Sequence, residues 1–328
     1  MRKSRRPIVI ASRRSPLAKA QATAVGNALA RIHPKVAVEY RWIESEADRN
    51  LEVPLSTEGG KGLFARAIEQ AVLKGEADLA VHSLKDLPAR PEASSAGLAI
   101  AAVPPRADVR DCLIAADPAI TQISQLPQGA VVGTASPRRS AQLQRLRPDV
   151  KVELIRGNVE TRLARIQEEK RFDATFLAIA GLSRLGLLKK SGGQPIDIDT
   201  MLPAAGQGAL ALQCRADDHV TISRCLPLND ANAAAAVHAE RAIVASLGGD
   251  CHSPIAVLVQ PTTGTNVEIH VRVFSPDGRE CIQTYHTATF KTLGKVVKQV
   301  IAELDTKGAR VLLRASMPGY GLRNLSRV

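Results

Sequence analysis

The sequence predicts two α/β lobes followed by a small α+β domain with a three-stranded antiparallel sheet. Short apolar runs alternate with helix-period segments through most of the chain, a pattern typical of folds built around mainly parallel sheets. A strand end followed by Ser-Pro and paired arginines occurs near residues 12–17 and again near 133–139, which indicates two similar units. After residue 230 the pattern changes to one alanine-rich helix, three alternating strands and a final amphipathic helix.

The first lobe is predicted to begin with a strand at 7–11 and a helix over 17–32. Ser15 is well suited to cap that helix, since Pro16 fits its first position. The elements predicted next are a strand at 36–43, a helix at 63–73 and a strand at 77–81. A cluster of prolines between residues 88 and 105 then marks a boundary.

The second lobe is predicted to start near Asp111 and to alternate strands with helices again. Its predicted strands are 112–116, 130–132, 150–155 and 172–180, with helices beginning at Ser136-Pro137 and after Asn158. A turn-rich linker at 191–203 leads to a strand at 209–213, which we expect to return to the first lobe. The predicted domains are therefore 1–106 with 203–226, then 107–202, and finally 227–328.

The C-terminal domain has the clearest strand pattern in the chain. A helix is predicted at 231–247, and the predicted strands are 255–260, 267–274 and 281–287. Ser275-Pro276-Asp277-Gly278 is a turn sequence that joins the last two strands. A final helix is predicted at 293–304, which gives an antiparallel sheet packed against helices.

Paired arginines stand at both Ser-Pro helix starts, as Arg13-Arg14 and Arg138-Arg139. A helix dipole is positive at its N-terminus, so cations there cost stability. An anion bound at the helix start would offset that cost. Because the same arrangement occurs twice, the sequence indicates an anion site in each lobe.

The overall charge also favours an anionic partner. The 328 residues include 44 Lys and Arg against 32 Asp and Glu, a formal net charge of +12. Nucleic acid, a membrane surface and a polycarboxylate substrate all fit that balance. Aromatic residues make up only 3% of the chain. Proteins that bind single-stranded nucleic acid usually stack bases on aromatic side chains, so this composition disfavours that class.

The five cysteines are dispersed and odd in number, at positions 112, 214, 225, 251 and 281. This pattern favours reduced thiols in a cytoplasmic protein, and no Cys/His spacing predicts a metal site. The apolar stretch 7–11 is too short for a signal peptide, and no segment has the length of a membrane span. Cys251 differs from the others because Gly, Asp, His and Ser flank it, a setting poorly suited to packing.

The segment 77–88, Ala-Asp-Leu-Ala-Val-His-Ser-Leu-Lys-Asp-Leu-Pro, contains the strongest catalytic candidate. A buried strand is predicted to end in a polar cluster that includes Lys85 and Asp86. Ligands of α/β sheets usually bind at such strand ends. A carboxylate among cations stays ionised and stabilises a developing positive charge, although a solvated loop with an incidental Lys-Asp pair would have the same sequence.

Seven motifs, in this order, closely resemble the porphobilinogen deaminase (hydroxymethylbilane synthase) family over roughly residues 8–304. They are Ser-Arg-Arg-Ser-Pro-Leu-Ala at 12–18, Gly-Gly-Lys-Gly-Leu-Phe at 59–64, Ala-Val-His-Ser-Leu-Lys-Asp-Leu-Pro at 80–88, Gly-Thr-Ala-Ser-Pro-Arg-Arg at 133–139, Arg-Gly-Asn-Val-Glu-Thr-Arg at 156–162, Leu-Pro-Ala-Ala-Gly-Gln-Gly at 202–208 and the Cys251 loop. Several long motifs in order are more specific than any single short pattern.

The resemblance implies a cytoplasmic, monomeric transferase of tetrapyrrole biosynthesis, with two periplasmic-binding-protein-like lobes and a third small domain. Such an enzyme joins four porphobilinogen molecules head to tail, releases ammonia at each step, and hydrolyses off linear hydroxymethylbilane. Growth starts on a dipyrromethane cofactor held by a thioether, here to Cys251. Asp86 is the implied catalytic carboxylate, and neither nucleic acid nor a membrane is an implied partner.

Matching the family motifs residue by residue also assigns binding roles. The residues implied to hold the cofactor are Cys251, Ser83, Lys85, Asp86, Thr134, Ser136, Arg138, Arg139 and Arg162. Those implied to contact substrate are Arg13, Ser15, Lys61, Phe64, Arg156, Gly157, Arg184 and Gln207, with Lys61 and Phe64 on a mobile loop. Arginine suits this task because its planar fork binds carboxylates in pairs of hydrogen bonds, and every pyrrole unit carries two carboxylates.

Three positions depart from the family pattern. Residues 44–48 replace a glycine-containing stretch, Ala135 stands where serine is common, and Asp250 precedes the cysteine where a small residue is usual. A carboxylate at position 250 would raise the pKa of Cys251 and slow thioether formation. None of the three alters Asp86 or the arginines, so we expect activity.

Two other classes of function remain open from the sequence. A two-lobed anion-binding protein without chemistry would explain the lobes and arginines but would give Asp86 and the Cys251 loop no role. A nucleic-acid-binding protein is motivated by charge alone.

Overall fold

Alternating strands and helices at the start of the chain form a five-stranded sheet with helices packed against it. The computed structural model describes residues 6–44, 63–90, 95–250 and 252–314. The elements of this first lobe are β1 (Ile8–Arg13), α1 (Pro16–Ile32), β2 (Val38–Ile43), α2 (Leu63–Leu73), β3 (Leu79–Ser83) and β4 (Leu98–Ala102). A short 3-10 turn, Leu84–Asp86, follows β3 directly. Helix α1 begins as predicted, because the Ser15 side chain accepts a hydrogen bond from the backbone N–H of Ala18.

The second lobe repeats the same kind of layered structure. Its elements are β5 (Asp111–Ala115), β6 (Val131–Gly133), α3 (Pro137–Leu146), β7 (Lys151–Glu153), α4 (Val159–Gln167), β8 (Ala174–Ala178), α5 (Ile179–Arg184) and β9 (Gln194–Pro195). Its sheet follows the order β7-β6-β8-β5-β9. Residues of its strands belong to two separate clusters of buried apolar side chains. Strands with apolar side chains on both faces suit such a covered sheet.

Two crossovers connect the lobes. The chain leaves the first lobe through residues 103–110 and comes back through 203–209 into β10 (Leu210–Arg215), which lies between β3 and β4. Strand β10 runs antiparallel to β3, as β5 does to β8, so each crossover strand starts at the edge where the parallel strands end. Helix α6 (His219–Cys225) then packs near β4.

The C-terminal domain is an antiparallel sheet in the order β11-β12-β13, formed by Ile255–Pro261, Asn266–Phe274 and Cys281–Thr289. Its helices are α7 (Ala231–Ser246), α8 (Leu293–Thr306) and α9 (Ala309–Arg314). Alternate residues of β12, such as Ile269 and Val271, are buried in one apolar cluster with residues of all three helices. The period-two pattern of this strand therefore defines the face that packs on the helices.

Glu240 of helix α7 joins the C-terminal domain to both crossovers. Its fully buried carboxylate accepts hydrogen bonds from Arg106 at 2.7 and 3.1 Å and from the backbone N–H groups of Gly206 at 2.6 Å and Val259 at 2.8 Å. Arg106 also donates to the carbonyl of Gln207 at 2.9 Å. One ion pair thus fixes the three parts of the chain where they meet.

The predicted fold class is confirmed: two α/β lobes, each with a five-stranded sheet, precede a small α+β domain with a three-stranded antiparallel sheet. Strand β4 was not predicted, because its short apolar run lies within the proline-rich boundary and has no polar alternation. The strand predicted at 172–180 is shorter, since Ile179 already begins helix α5. Among the described residues, no helix is long and apolar enough to cross a membrane.

We expect Gly278→Ala to destabilise the contact between the β12–β13 turn and helix α3. Gly278 has φ +71°, and a Cβ there would lie 2.2 Å from the carbonyl oxygen of Ala141. Gly264 is a matched control because its φ is +66° but nothing lies within 4 Å of its Cβ position. Strain alone should make Gly264→Ala cost about 1 kcal/mol, whereas the added clash should bring Gly278→Ala to about 2–4 kcal/mol. Thermal unfolding measures both, and equal melting temperatures would contradict the predicted close contact.

Candidate active site

The predicted site residues of both lobes lie at one edge of each sheet. Asp86 follows β3, and Arg138 follows β6. Because the crossover strands run antiparallel to their neighbours, Leu210 pairs with Ser83 and Asp111 pairs with Ala178 at these same edges. The start of each crossover therefore lies beside the carboxyl ends of the parallel strands, where α/β proteins bind ligands.

A cleft in the first lobe is formed where β1, β3, α1 and α2 meet. Asp86 lines it from the 3-10 turn and is exposed. Its other polar lining residues are Ser12, Arg13, Ser15, Gln21, His82 and Ser83. Its apolar lining residues are Leu17, Ala18, Ala65, Ile68 and Val81. The cleft therefore combines apolar walls with one carboxylate and several hydrogen-bonding groups.

Ser83 and Gln21 are held together at the floor of this cleft. The Gln21 amide lies 2.9 Å from the Ser83 hydroxyl through Nε2 and 3.3 Å through Oε1. Gln21 is buried on helix α1, which Ser15 caps. Burial and this contact together hold the Gln21 side chain in place, and Gln21 in turn orients Ser83.

His82 lies beneath the cleft as a buried imidazole with one unpaired nitrogen. Its Nε2 has no hydrogen-bond partner among the described residues. Burial lowers the pKa of His82 to about 4, even though Asp86 and Gln213 both act to raise it. The imidazole is therefore neutral at physiological pH.

Arg138 and Arg139 are buried in the first turn of α3 and share one carboxylate, that of Asp111. Arg138 Nη1 lies 2.7 Å from Asp111 Oδ2, and Arg139 Nη2 lies 2.6 Å from Oδ1. Burial alone would raise the pKa of Asp111, but the charges and hydrogen bonds of the two arginines hold that pKa well below its usual range. The two guanidiniums and one carboxylate leave a net positive charge at this helix start.

Lys85 connects this group to Asp86. Its ammonium lies 3.3 Å from Gln207 Oε1, and Gln207 Nε2 lies 3.1 Å from Asp111 Oδ1. Burial lowers the pKa of Lys85 to about 8, assisted by the charges of Arg139 and Arg138 and opposed by those of Asp86 and Asp111. Lys85 therefore titrates much closer to neutrality than an ordinary lysine.

Arg162 and Arg184 are half-buried and also lie near the meeting edges of the lobes. Arg162 donates to the carbonyl of Gly157 at 2.9 Å, and burial lowers its pKa to about 10, with Arg139 lowering it further and Asp86 opposing. Arg184 donates to the carbonyl of Gly208 at 2.7 Å, which ties α5 to the returning crossover. Asp86 of the first lobe therefore acts electrostatically on Arg162 of the second lobe.

Two loops of the second lobe present the remaining predicted groups. Thr134 follows β6, and its hydroxyl accepts a hydrogen bond from the Ser136 N–H at 3.2 Å. Ser136 precedes α3 but its side chain makes no cap hydrogen bond, so its hydroxyl is not used by the helix. Arg156 is half-buried, and Gly157 has φ +106°, a conformation that disfavours any side chain.

Three predicted residues cannot be placed in this geometry. Cys251 and Lys61 lie outside the described residues, and for Phe64 only the backbone of α2 is described. Next to Cys251, the Asp250 carboxylate accepts hydrogen bonds from the His252 N–H at 2.9 Å and the Ser253 hydroxyl at 3.0 Å.

The four cysteines that the structure describes are poor nucleophiles. Burial raises the pKa of Cys112 and Cys225 to about 12 and that of Cys214 to about 11. Burial also raises the pKa of the half-buried Cys281. Since the thiolate is the reactive form, these thiols are largely inert near neutral pH.

Four site residues were not predicted as such: Ser12, Gln21, His82 and Asp111. Ser12 and His82 lie within the family motifs at 12–18 and 80–88. Their positions at the ends of predicted strands could have indicated that they line the site. Asp111 could have been found by asking which carboxylate neutralises Arg138 and Arg139. Gln21 gave no signal, because glutamine on a helix is usually exposed. Among the described residues, no group of three or more His, Cys, Asp or Glu side chains could hold a metal ion.

Comparison with known proteins gives a consistent result over nearly the whole chain. Residues 8–223 match "Porphobilinogen deaminase, dipyromethane cofactor binding domain" and residues 234–305 match "Porphobilinogen deaminase, C-terminal domain". The porphobilinogen deaminase of Geobacillus kaustophilus (strain HTA426) is 42% identical over 309 residues, which cover 94% of this chain and 97% of that protein. That of Paracoccus denitrificans (strain Pd 1222) is 45% identical over 279 residues, covering 84% and 86%.

The porphobilinogen deaminase of Bacillus subtilis (strain 168) is 41% identical over 309 residues, covering 94% of this chain and 96% of that protein. A solved extracellular-binding protein of a probable amino-acid ABC transporter from Bacillus subtilis covers 69% of this chain and 91% of its own, with a TM-score of 0.41 and 10% identity. From the two domain matches and the identity to full-length relatives, the chain belongs to the porphobilinogen deaminase family.

Proposed function

We propose that this chain is a hydroxymethylbilane synthase that joins four porphobilinogen molecules, releases ammonia at each addition and hydrolyses the linear product free. The observation that carries this proposal is the electrostatic coupling of Asp86 to Lys85 and to the half-buried Arg162 of the other lobe, both of which also feel the charge of the buried Arg139. A fixed carboxylate in that setting offsets positive charge on a reacting ring.

Asp86 is proposed as the catalytic group. When the substrate loses its amino group, positive charge develops on the pyrrole ring, and a fixed anion lowers the energy of that state. Asp86 is exposed at the cleft, so it is accessible to a ring that enters from solvent. The neighbouring cations are proposed to bind the substrate carboxylates and so to position the ring beside Asp86.

The described residues fit the dipyrromethane that the family binds. Arg138 is 4% exposed and its Nε has no hydrogen-bond partner among the described residues, so a buried donor remains available to a carboxylate. When bound, the dipyrromethane supplies the pyrrole carbon to which the first substrate unit is joined. The residues proposed to hold it are Ser83, Lys85, Asp86, Thr134, Ser136, Arg138, Arg139 and Arg162.

Cys251 is proposed as the covalent attachment point. The other four cysteines are buried or half-buried with raised pKa values, so they are poorly suited to form a thioether. The family matching and the inertness of these thiols both support the same residue.

The substrate is proposed to contact a second set of groups. These are Arg13, Ser15, Lys61, Phe64, Arg156, Gly157, Arg184 and Gln207. Arg13 and Ser15 line the cleft of the first lobe, which supports their part in binding the incoming molecule. Gln207 lies between the two lobes through its hydrogen bonds to Lys85 and Asp111.

We also propose the domain limits 1–106 with 203–226, 107–202 and 227–328, and a cytoplasmic monomer without nucleic-acid or membrane partners. The return of β10 into the first sheet supports the discontinuous first domain. The reduced, dispersed cysteines support the cytoplasm.

The test of this function is turnover by the full-length protein purified from a host that makes porphobilinogen. We expect porphobilinogen to disappear with release of one ammonia per molecule, and a pyrrole-colouring aldehyde reagent to stain the protein itself. Porphobilinogen binding without ammonia release would favour a two-lobed anion-binding protein. Tight binding of duplex DNA with a steep salt dependence would favour the nucleic-acid alternative.

A further inference from the structure

Asp111 is a fully buried carboxylate that the proposed reaction does not use directly. It is the first residue of β5, where the chain enters the second lobe. Its oxygens accept hydrogen bonds from Arg138 Nη1 at 2.7 Å, from Arg139 Nη2 at 2.6 Å and Nε at 3.1 Å, and from Gln207 Nε2 at 3.1 Å. Every one of these donors is a side chain to which the proposed function gives a binding role.

This pattern differs from that of Glu240, the other fully buried carboxylate at the meeting point of the domains. Glu240 accepts backbone N–H groups from Gly206 and Val259 as well as the Arg106 side chain. Such bonds stabilise loops and strands. The Asp111 carboxylate instead orients side chains of the site, because all of its hydrogen bonds among the described residues are donated by side chains.

The two arginines are fixed by Asp111 together with one carbonyl each. Arg138 Nη1 also donates to the Leu202 carbonyl at 2.8 Å, and Arg139 Nη1 to the Phe176 carbonyl at 2.8 Å. Two buried guanidiniums facing one carboxylate retain one net positive charge for a ligand carboxylate. Without Asp111, two like charges would be buried side by side, an arrangement that strongly favours rearrangement or neutralisation.

The influence of Asp111 also extends to the first lobe. Gln207 donates to Asp111 and accepts from the Lys85 ammonium, which lies at 3.3 Å from its Oε1. Lys85 is the residue immediately before Asp86. A chain of hydrogen bonds therefore runs from the arginines of the second lobe to the proposed catalytic turn.

We propose that Asp111 is a positioning residue of the site, which orients Arg138 and Arg139 for ligand carboxylates and, through Gln207, holds the Lys85 ammonium beside Asp86. This inference rests on the proposed function, because that function makes these side chains a binding site. The effect of Asp111 on Lys85 can nevertheless be tested without measuring turnover.

The charges around Lys85 give the inference a direct readout. Arg138 and Arg139 on α3 lower the pKa of Lys85, whereas Asp86 on its own turn and Asp111 on β5 raise it. Removing the Asp111 charge while keeping both arginines must therefore lower that pKa further. We expect the pKa of Lys85 to fall below its value of about 8, because the charge of Asp111 acts to raise it.

The experiment measures the pH dependence of Lys85 acylation in the full-length protein, followed by mass spectrometry of its peptide. Asp111→Asn should shift the midpoint to lower pH. Asp108→Asn is the matched control, because Asp108 bonds only Arg110 among the described partners and is partly exposed. Asp111→Glu keeps the negative charge, so its midpoint should lie close to that of the wild-type protein.

A second variant keeps the inference testable if Asp111→Asn does not fold. Gln207→Leu leaves the Asp111–arginine ion pairs in place but removes the hydrogen bond to Lys85, so the midpoint should also fall. An unchanged Lys85 midpoint in whichever of the two variants folds would overturn the inference. Failure of the proposed function is a different result, namely wild-type protein that neither carries a pyrrole group nor releases ammonia.

Discussion

Asp86→Ala is expected to reduce turnover of porphobilinogen by at least ~10²-fold while leaving the fold and the covalent pyrrole group intact. The carboxylate is exposed at the cleft, so its removal should cost little stability. Its loss removes the fixed anion that offsets the positive charge of the reacting ring. Steady-state kinetics measures the effect, and intact-protein mass verifies that the variant is still loaded.

Asp217→Ala is the matched control for this variant. Asp217 is exposed and follows β10, whose Cys214 pairs with Leu79 at the end of the sheet away from Asp86. The control removes the same charge without touching the cleft, so it should keep normal turnover. Normal turnover in Asp86→Ala would remove this residue from the mechanism.

Cys251→Ser is expected to yield folded protein without any covalent pyrrole group. A serine hydroxyl is a far weaker nucleophile than a thiol, so no stable link should form at this position. Intact-protein mass should equal that of the unmodified chain, and the aldehyde stain should be lost. Turnover should fall with the loss of the group on which the chain is built.

Cys281→Ser is the control, because Cys281 is half-buried in the same C-terminal domain and has a raised pKa. It should retain the full added mass. A Cys251→Ser protein that still carries the pyrrole group would mean that another thiol is the attachment point, and the proposal for Cys251 would be withdrawn.

Sequence patterns predicted the two lobes and many of their site positions because strand ends and helix starts are local signals. Asp86 became a candidate because an apolar run ends in polar residues there, and Arg138 and Arg139 because cations are unfavourable at a helix start. The residue that makes these arginines tolerable at a helix start is not a sequence neighbour. Asp111 offsets them from 27 and 28 residues away, across a strand pairing that periodicity does not reveal.

The contacts between lobes were the least predictable part of the site. Lys85 and Gln207 are separated by 122 residues, and they meet only because β10 runs antiparallel to β3. Strand direction within a sheet is a tertiary property, and the expected return of the chain to the first lobe did not specify it. The lowered pKa of Lys85 follows from that packing and has no counterpart in the sequence pattern.

The most direct measurement of the central claim is a crystal structure of the loaded protein. We predict electron density continuous from Cys251 Sγ into the space bounded by Asp86 and by Arg138 and Arg139, with ring carboxylates against the guanidiniums. Density that leads from Cys251 away from this cleft, or an Asp86 carboxylate that makes no contact with the bound rings, would contradict the account.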